Sequence, residues 1–317
     1  MRVRERAAAV SPAGTRVPVD VGGRRLALSN LDKVLWPATG TTKAQALDYY
    51  SRVAPVLLPH LAGRPLTLKR YPDGVEGGSF YEKNAPRGTP EWVRRERLPS
   101  PGSSKDRETI DFVVVDELAT LVWAANLASL ELHTPMWRVP SPGAGRPGDP
   151  DLLVLDLDPG PPATVLECCE VALLLHDLLV DDGLDPVAKT SGSKGLQLYA
   201  AVAGATARQT SAYARGLAER LERAHPELVV SRMTKALRPG KVLVDWSQNN
   251  AAKTTVSVYS LRARERPSVS TPVAWEEVED CREPGDLVFL ADDVLARVAA
   301  HGDLFAPLLA AGAPLPG

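Results

Sequence analysis

Cysteine is nearly absent: three in 317 residues, with Cys168 and Cys169 adjacent and Cys281 remote. No pair has the spacing of a zinc site, and no disulfide framework is suggested. Also lacking is any apolar run of about 18 residues, so no membrane-spanning helix is expected, and there is no secretory h-region. Charge of one sign is lacking as well: 37 Lys and Arg face 39 Asp and Glu, leaving a net charge of −2. That excludes a global basic signal for nucleic acid. Any such binding must come from local patches, because counterion release depends on the charges at the contact. No internal repeat is present. These absences fit a soluble, reduced, cytoplasmic protein without a membrane partner.

What is present is 44% hydrophobic content, ample for a large core. VDVGGRRLALSN reads as a hairpin turning at Gly22-Gly23, and TTKAQALDYYSRVAPVLLPHL as a helix capped by Thr41 or Thr42. PLTLKRY and GGSFYEK look like short strands around a Pro-Asp-Gly turn; SPGSSKDRE is a polar loop, and ELATLVWAANLASLEL is helical. After the linker Ser141 to Pro150 come a strand, a helix (ATVLECCEVALLLHDLL), a hairpin (PVAKTSGSKGLQLYAAV), a helix from about Ser211 to Ala224, and the strand KVLVDWS. Strands and helices alternate irregularly, without a regular βαβ repeat. This favours an α+β (mixed α/β) fold over a Rossmann sheet. The expected layout is one two-lobed domain over residues 15–310, with lobes at about 15–140 and 151–310. Residues 1–14 and 311–317 are expected to be tails.

VLDLDPG, Val154 to Gly160, places two aspartates one residue apart at the end of an apolar run. With a strand period of two, Leu152, Val154, Asp156 and Asp158 share one face, and Pro159-Gly160 ends the strand. Two carboxylates about 6 to 7 Å apart repel by roughly 2–3 kcal/mol at an effective dielectric near 20. A divalent metal is the usual offset, although an isolated D-x-D also suits a solvated strand end. KVLVDWSQN repeats the device: Leu243, Asp245 and Ser247 share one face of an apolar strand. Three strand carboxylates suit a two-metal phosphoryl-transfer site.

KTSGSKG, Lys189 to Gly195, combines small residues with Lys194. Such a loop can expose N–H groups to a triphosphate, though it lacks P-loop spacing and also suits an ordinary hairpin turn. Lys69, Arg70 and Arg262 are further cations that serve either an anion or a solvated surface. His133, at the end of a helical stretch, suits a structural role. Lys43 falls in the first turn of a helix, where free N–H groups and a cation together favour a phosphate, and Lys33 lies ten residues earlier. Phe80 and Tyr81, in a Gly-rich context beside Lys83, suit either base stacking or core packing.

Taken in order, DKVLWPATGTTK, SFYEK, DLDPG, TSGSKG, KVLVDWSQN and YSLR resemble the polymerase module of bacterial DNA ligase D, of the archaeo-eukaryotic primase superfamily. The resemblance runs from about Ser29 to Asp303. It implies a primase-polymerase core of two sheets flanked by helices. It further implies a ribonucleotide-preferring, DNA-dependent nucleotidyltransferase that fills gaps and extends ends in non-homologous end joining. Two manganese or magnesium ions would be held by Asp156, Asp158 and Asp245. Lys69, His133, Ser191, Lys194, Gln248 and Arg262 would contact the NTP or dNTP. Lys33 and Lys43 would hold the 5′-phosphate of a gap or double-strand break, and Phe80 with Tyr81 would stack on the template. A separate ligase and an end-binding protein are the implied partners, and the nucleoid the implied location.

One departure stands inside the glycine-loop motif. The family usually has histidine where this chain has Gln197, which still hydrogen-bonds a phosphate but cannot become a cation. Gln197 therefore sustains a rival reading, a DNA-end binding or synapsis module with weak catalysis. A haloacid-dehalogenase-type phosphatase shares D-x-D, but it expects Thr or Val where Gly160 stands and leaves Asp245 unexplained.

Overall fold

The computed structural model describes residues 16–100 and 108–316. The expected tail at residues 1–14 and most of the polar loop SPGSSKDRE lie outside them. The first half opens with the hairpin of β1 (Arg16–Val21) and β2 (Arg24–Ser29), whose turn residues Gly22 and Gly23 both take positive φ. A short pair, β3 (Val34–Trp36) and β4 (Thr41–Thr42), leads into helix α1 (Lys43–Leu61). Thr42 caps that helix in a capping box with Gln45, and Leu47, Tyr50, Val53, Ala54 and Leu57 form its buried stripe. Then follow β5 (Pro65–Arg70), β6 (Phe80–Glu82), β7 (Arg95–Pro99), β8 (Thr109–Val114), helix α2 (Leu118–Asn126) and β9 (Ser129–Thr134).

The stretch predicted as one helix over ELATLVWAANLASLEL therefore divides. The helix stops at Asn126, Ala128 takes φ +56°, and the rest pairs as β9 with β5. Leu and Ala favour helix locally, but ladder pairing overrides that preference. His133 accordingly sits within a strand, not at a helix end.

The second half contains β10 (Leu152–Pro159), α3 (Val165–Asp181), β11 (Pro186–Thr190), β12 (Leu196–Ala203), α4 (Ala207–Ala224), β13 (Val229–Val230), β14 (Val242–Asp245), β15 (Thr255–Val256), β16 (Pro272–Val273), α5 (Trp275–Glu279), α6 (Ala291–His301) and β17 (Ala313–Pro314). One sheet runs β15-β9-β5-β8-β7 with β6 on β5; the other runs β13-β14-β10-β12-β11-β16 with β17 on β12. The fold is the mixed arrangement of two sheets and flanking helices that the sequence led us to expect. Among the described residues no helix is long and apolar enough to cross a membrane.

Two expectations are corrected here. The C-terminal segment is not a tail: Ala313–Pro314 adds a parallel strand to β12, and a Cβ at Gly312 would lie 2.4 Å from the Val202 backbone. The lobes are also not successive. β15, from the second half, completes the first sheet beside β9, and Leu152, Val154, Tyr199 and Phe305 pack into the core built on α1 and α2. The two halves share that core because β10 buries both faces. Its even residues Leu152 and Val154 enter the first core, while Leu153, Leu155 and Leu157 enter the second, under α3 and α4.

Candidate active site

Past Val154, the first-core face of β10 runs out of apolar residues and presents Asp156 and then Asp158. Asp156 is directly opposite Asp245 on β14 and Gln197 on β12, and Gln197 is opposite Lys189 on β11. Asp245, Asp156, Gln197 and Lys189 thus form one row across four strands. Gln197 Nε2 donates to Asp156 Oδ1 at 3.0 Å, while Lys189 Nζ donates to Gln197 Oε1 and, at 2.7 Å, to Ser270 Oγ. The Tyr199 hydroxyl adds a 3.2 Å bond to the same amide oxygen. The amide is therefore fixed with its donors toward Asp156, and both polar ends of Gln197 are engaged by protein.

Burial, then the neighbouring charges of Asp158 and Asp245, push the Asp156 carboxyl up to about 7. Burial and Asp245 push Asp158 up in the same way, opposed by Arg238. Crowded, destabilised carboxylates with hard oxygen donors fit a divalent cation. Asp245 shares that face, but its oxygens are bonded locally. Its oxygens accept from Ser247 N, Ser247 Oγ and Gln248 Nε2, because β14 ends at Asp245 and Trp246–Asn249 turns as a 3₁₀ segment capped by it. Ser247, expected on the strand, instead belongs to that turn. Among the described residues no three Asp, Glu, His or Cys side chains already converge as a coordination cluster.

Asp156 and Asp158 open onto a cleft of about 550 Å³ that also collects Tyr81, His133, Ser191, Lys194, Gln197, Gln248 and Arg262. The glycine loop forms one wall and is closed by Ser191 N donating to Gly195 O at 2.8 Å. Ser191 Oγ accepts from Ser193 N and Gly195 N, both at 3.2 Å. A Cβ at Gly195 would lie 1.9 Å from Leu157 O, and one at Gly192, where φ is +63°, would lie 2.6 Å from Arg262 Cγ. Only glycine lets this loop press against both β10 and Arg262. Lys194 projects from its exposed tip.

The cations of the cleft share one buried organiser that the sequence reading missed, Glu131 on β9. Glu131 is 2% exposed. His133 Nε2 lies 3.1 Å from its carboxylate, Lys69 Nζ 3.5 Å and Arg262 Nε 3.6 Å. The Tyr71 hydroxyl and Ala263 N donate to Glu131 Oε1 at 3.2 and 3.1 Å. Burial opposes its charge, but His133, Arg262 and Lys69 prevail and hold the Glu131 carboxyl down at about 2. Burial pushes His133 below its ordinary value despite that partner. Arg262 Nε is buried and makes no hydrogen bond among the described residues; Glu131, at 3.6 Å, is the anion it faces.

Of the other predicted residues, Phe80, Lys33 and Lys43 do not line the cleft. β5 and β6 pair Lys69 with Tyr81 and Arg70 with Phe80, so the two aromatics occupy opposite faces. Tyr81 lies under Lys69 Nζ at 5.4 Å and edge-on to His133 at 5.5 Å, on the cleft side. Phe80 lies under the Arg70 guanidinium at 5.3 Å on the other side. Both rings are exposed, 45% and 59%, which removes core packing as their role. Lys43 is buried at the start of α1 and donates to Ser29 O at 2.6 Å; Lys33 donates to Pro72 O and pairs with Asp73 at 2.9 Å. Burial, then the charges of Lys33 and Arg70, lower the Lys43 ammonium to about 8. Three cations thus gather away from the carboxylates.

Comparison with known proteins follows the same pattern. The family model described as LigD, primase-polymerase domain matches residues 42–305. The multifunctional non-homologous end joining protein LigD of Mycolicibacterium smegmatis is 45% identical over 285 residues, 90% of this chain and 36% of that protein. The bifunctional non-homologous end joining protein LigD of Bacillus subtilis is 31% identical over 88% of this chain and 43% of its own length. The chain thus spans well under half the length of these relatives. A solved polymerase domain from Mycobacterium tuberculosis ligase D, in complex with DNA, superposes with a TM-score of 0.84 at 45% identity, covering 91% of this chain and 99% of that one. The carboxylate row, the glycine loop and these matches together place the chain in the LigD primase-polymerase domain family.

Proposed function

We propose that this chain is a DNA-dependent nucleotidyltransferase that fills gaps and extends ends in non-homologous end joining, with a preference for ribonucleotides. The observation that carries the reading is the register of the second sheet. It sets Asp156 against Asp245, with Asp158 two residues on, at the mouth of a cleft walled by Lys194 and Arg262. In the reaction a primer 3′-hydroxyl attacks the α-phosphate of an NTP, the new phosphodiester forms, and pyrophosphate leaves. Asp156, Asp158 and Asp245 would hold two manganese or magnesium ions, which lower the pKa of the attacking hydroxyl and stabilise the leaving oxygens.

The remaining roles belong to the chain's own groups. Lys194, the Ser191 loop and Arg262 neutralise the triphosphate, and Glu131 keeps Arg262, Lys69 and His133 aimed at it. Gln248 lines the nucleotide, and Tyr81 offers a ring face to a base at the cleft. Gln197 holds Asp156 in place, backed by Lys189. The rival reading as an end-binding module rested on Gln197, and its engagement with Asp156 instead supports the catalytic one. Lys33 and Lys43 take the 5′-phosphate on the downstream side, near Phe80. A ligase and an end-binding protein are the partners this reading calls for.

Single-nucleotide insertion into a one-nucleotide gap tests these assignments. The wild type is expected to use a 5′-phosphorylated gap better than a 5′-hydroxyl gap and an rNTP better than the matching dNTP. Lys43→Gln is expected to lose about tenfold of the phosphate preference, as for a charge-assisted contact of 1–2 kcal/mol, without changing the response to metal. Equal use of both gaps by both proteins would reject the 5′-phosphate site.

A further inference from the structure

In the 5′-phosphate site read above, one of the two lysines is already paired. Lys33 Nζ holds Asp73 at 2.9 Å and Pro72 O at 2.5 Å. The Asp73 side chain is 78% exposed, so a pair of this kind is weak and easily exchanged. Its backbone, by contrast, is pinned. Val75 N donates to Leu35 O at 2.8 Å, Gly74 N to Tyr71 O and Gly77 N to Gly74 O, both at 3.1 Å. Gly74 approaches so closely that a Cβ there would lie 2.9 Å from Leu35 O, and one at Gly77 would lie 2.9 Å from Asp73 Cβ. The turn cannot swing away from Lys33; only the carboxylate can.

We propose that Asp73 tunes the affinity of the site by occupying Lys33 in place of a phosphate, so that a DNA end is seated fully only when its own 5′-phosphate displaces the carboxylate. The proposal rests on the reading of Lys33 and Lys43 as the 5′-phosphate site. A phosphate carries more charge and more acceptor oxygens than a carboxylate, so it outcompetes Asp73 where a 5′-hydroxyl does not. An end without phosphate leaves the Lys33–Asp73 pair intact and gains nothing from Lys33. Asp73 therefore lowers the affinity for a phosphorylated end, which must displace it, and leaves a hydroxyl end, which does not, nearly unaffected.

Fluorescence anisotropy with gapped duplexes that differ only in a 5′-phosphate or 5′-hydroxyl tests this on the full chain. Asp73→Asn is expected to tighten binding of the phosphorylated duplex by about three- to fivefold and of the hydroxyl duplex by less than about twofold. Asp73→Glu, which can still reach Lys33, is expected to behave as the wild type. An equal gain for both duplexes, as from a general loss of negative charge, overturns the proposal, and so does no change. If the wild type itself shows no phosphate preference, the 5′-phosphate reading fails as well; if it does and Asp73→Asn matches it, only the role of Asp73 fails.

Discussion

Asp158→Ala is expected to lower nucleotide incorporation by about 10³-fold or more while leaving DNA binding and thermal stability at or above the wild-type level. The asymmetry follows from where the residue sits. Asp158 is at the exposed end of β10, and the neighbouring charge it adds helps hold the Asp156 carboxyl at about 7. Removing it relieves like-charge repulsion in the folded protein and deletes a cation ligand in the active one. Asp156→Ala is a poorer test, because it also strands Gln197 and, behind it, Lys189, which is 0% exposed. Single-turnover extension, duplex anisotropy and a thermal melt on the same preparation separate the effects. Extension at the wild-type rate by Asp158→Ala would remove the carboxylates from the mechanism.

The second large effect is expected at Glu131. Glu131→Ala leaves Lys69 and Arg262 without their shared anion in a buried setting, a change that costs about 3–5 kcal/mol. Urea unfolding at neutral pH should show that loss; unfolding that coincides with the wild type would mean that Lys69 and Arg262 do not depend on Glu131. The same group gives the protein an acid limb. Its pKa falls from the ordinary 4.5 to about 2 on folding, so its contribution is complete above about 4.5 and disappears as the pH falls toward 2. That contribution is roughly 3 kcal/mol. The wild type should therefore lose stability more steeply over that window than Glu131→Gln, which cannot titrate there.

Glu131 also marks where sequence reasoning stopped. Asp156, Asp158 and Asp245 were legible because an acid on an apolar strand breaks a period-two pattern. Glu131 and His133 make the same break in SLELHT, but Leu and Ala on either side read as helix, so the signal was lost with the strand. Lys189 opens the glycine-loop motif, yet nothing local shows that it is buried and bonded to Gln197 and Ser270, since those contacts come from strand register. Phe80 and Tyr81 looked equivalent until pairing with β5 put them on opposite faces. The C-terminal AAGAPLPG has the composition of a tail, and only the edge of β12 gives it a partner. The mixed α/β class, the Thr42 cap and the N-terminal hairpin were legible because each rests on a local preference that the tertiary structure does not oppose.

The most direct measurement is insertion of one ribonucleotide by the wild-type chain into a one-nucleotide gap bearing a 5′-phosphate, with manganese and with excess chelator. The expected result is product in manganese, none in chelator, and none in either condition for Asp158→Ala. Tight binding to the gap without product in any condition would contradict nucleotidyl transfer and leave a protein that only holds DNA ends.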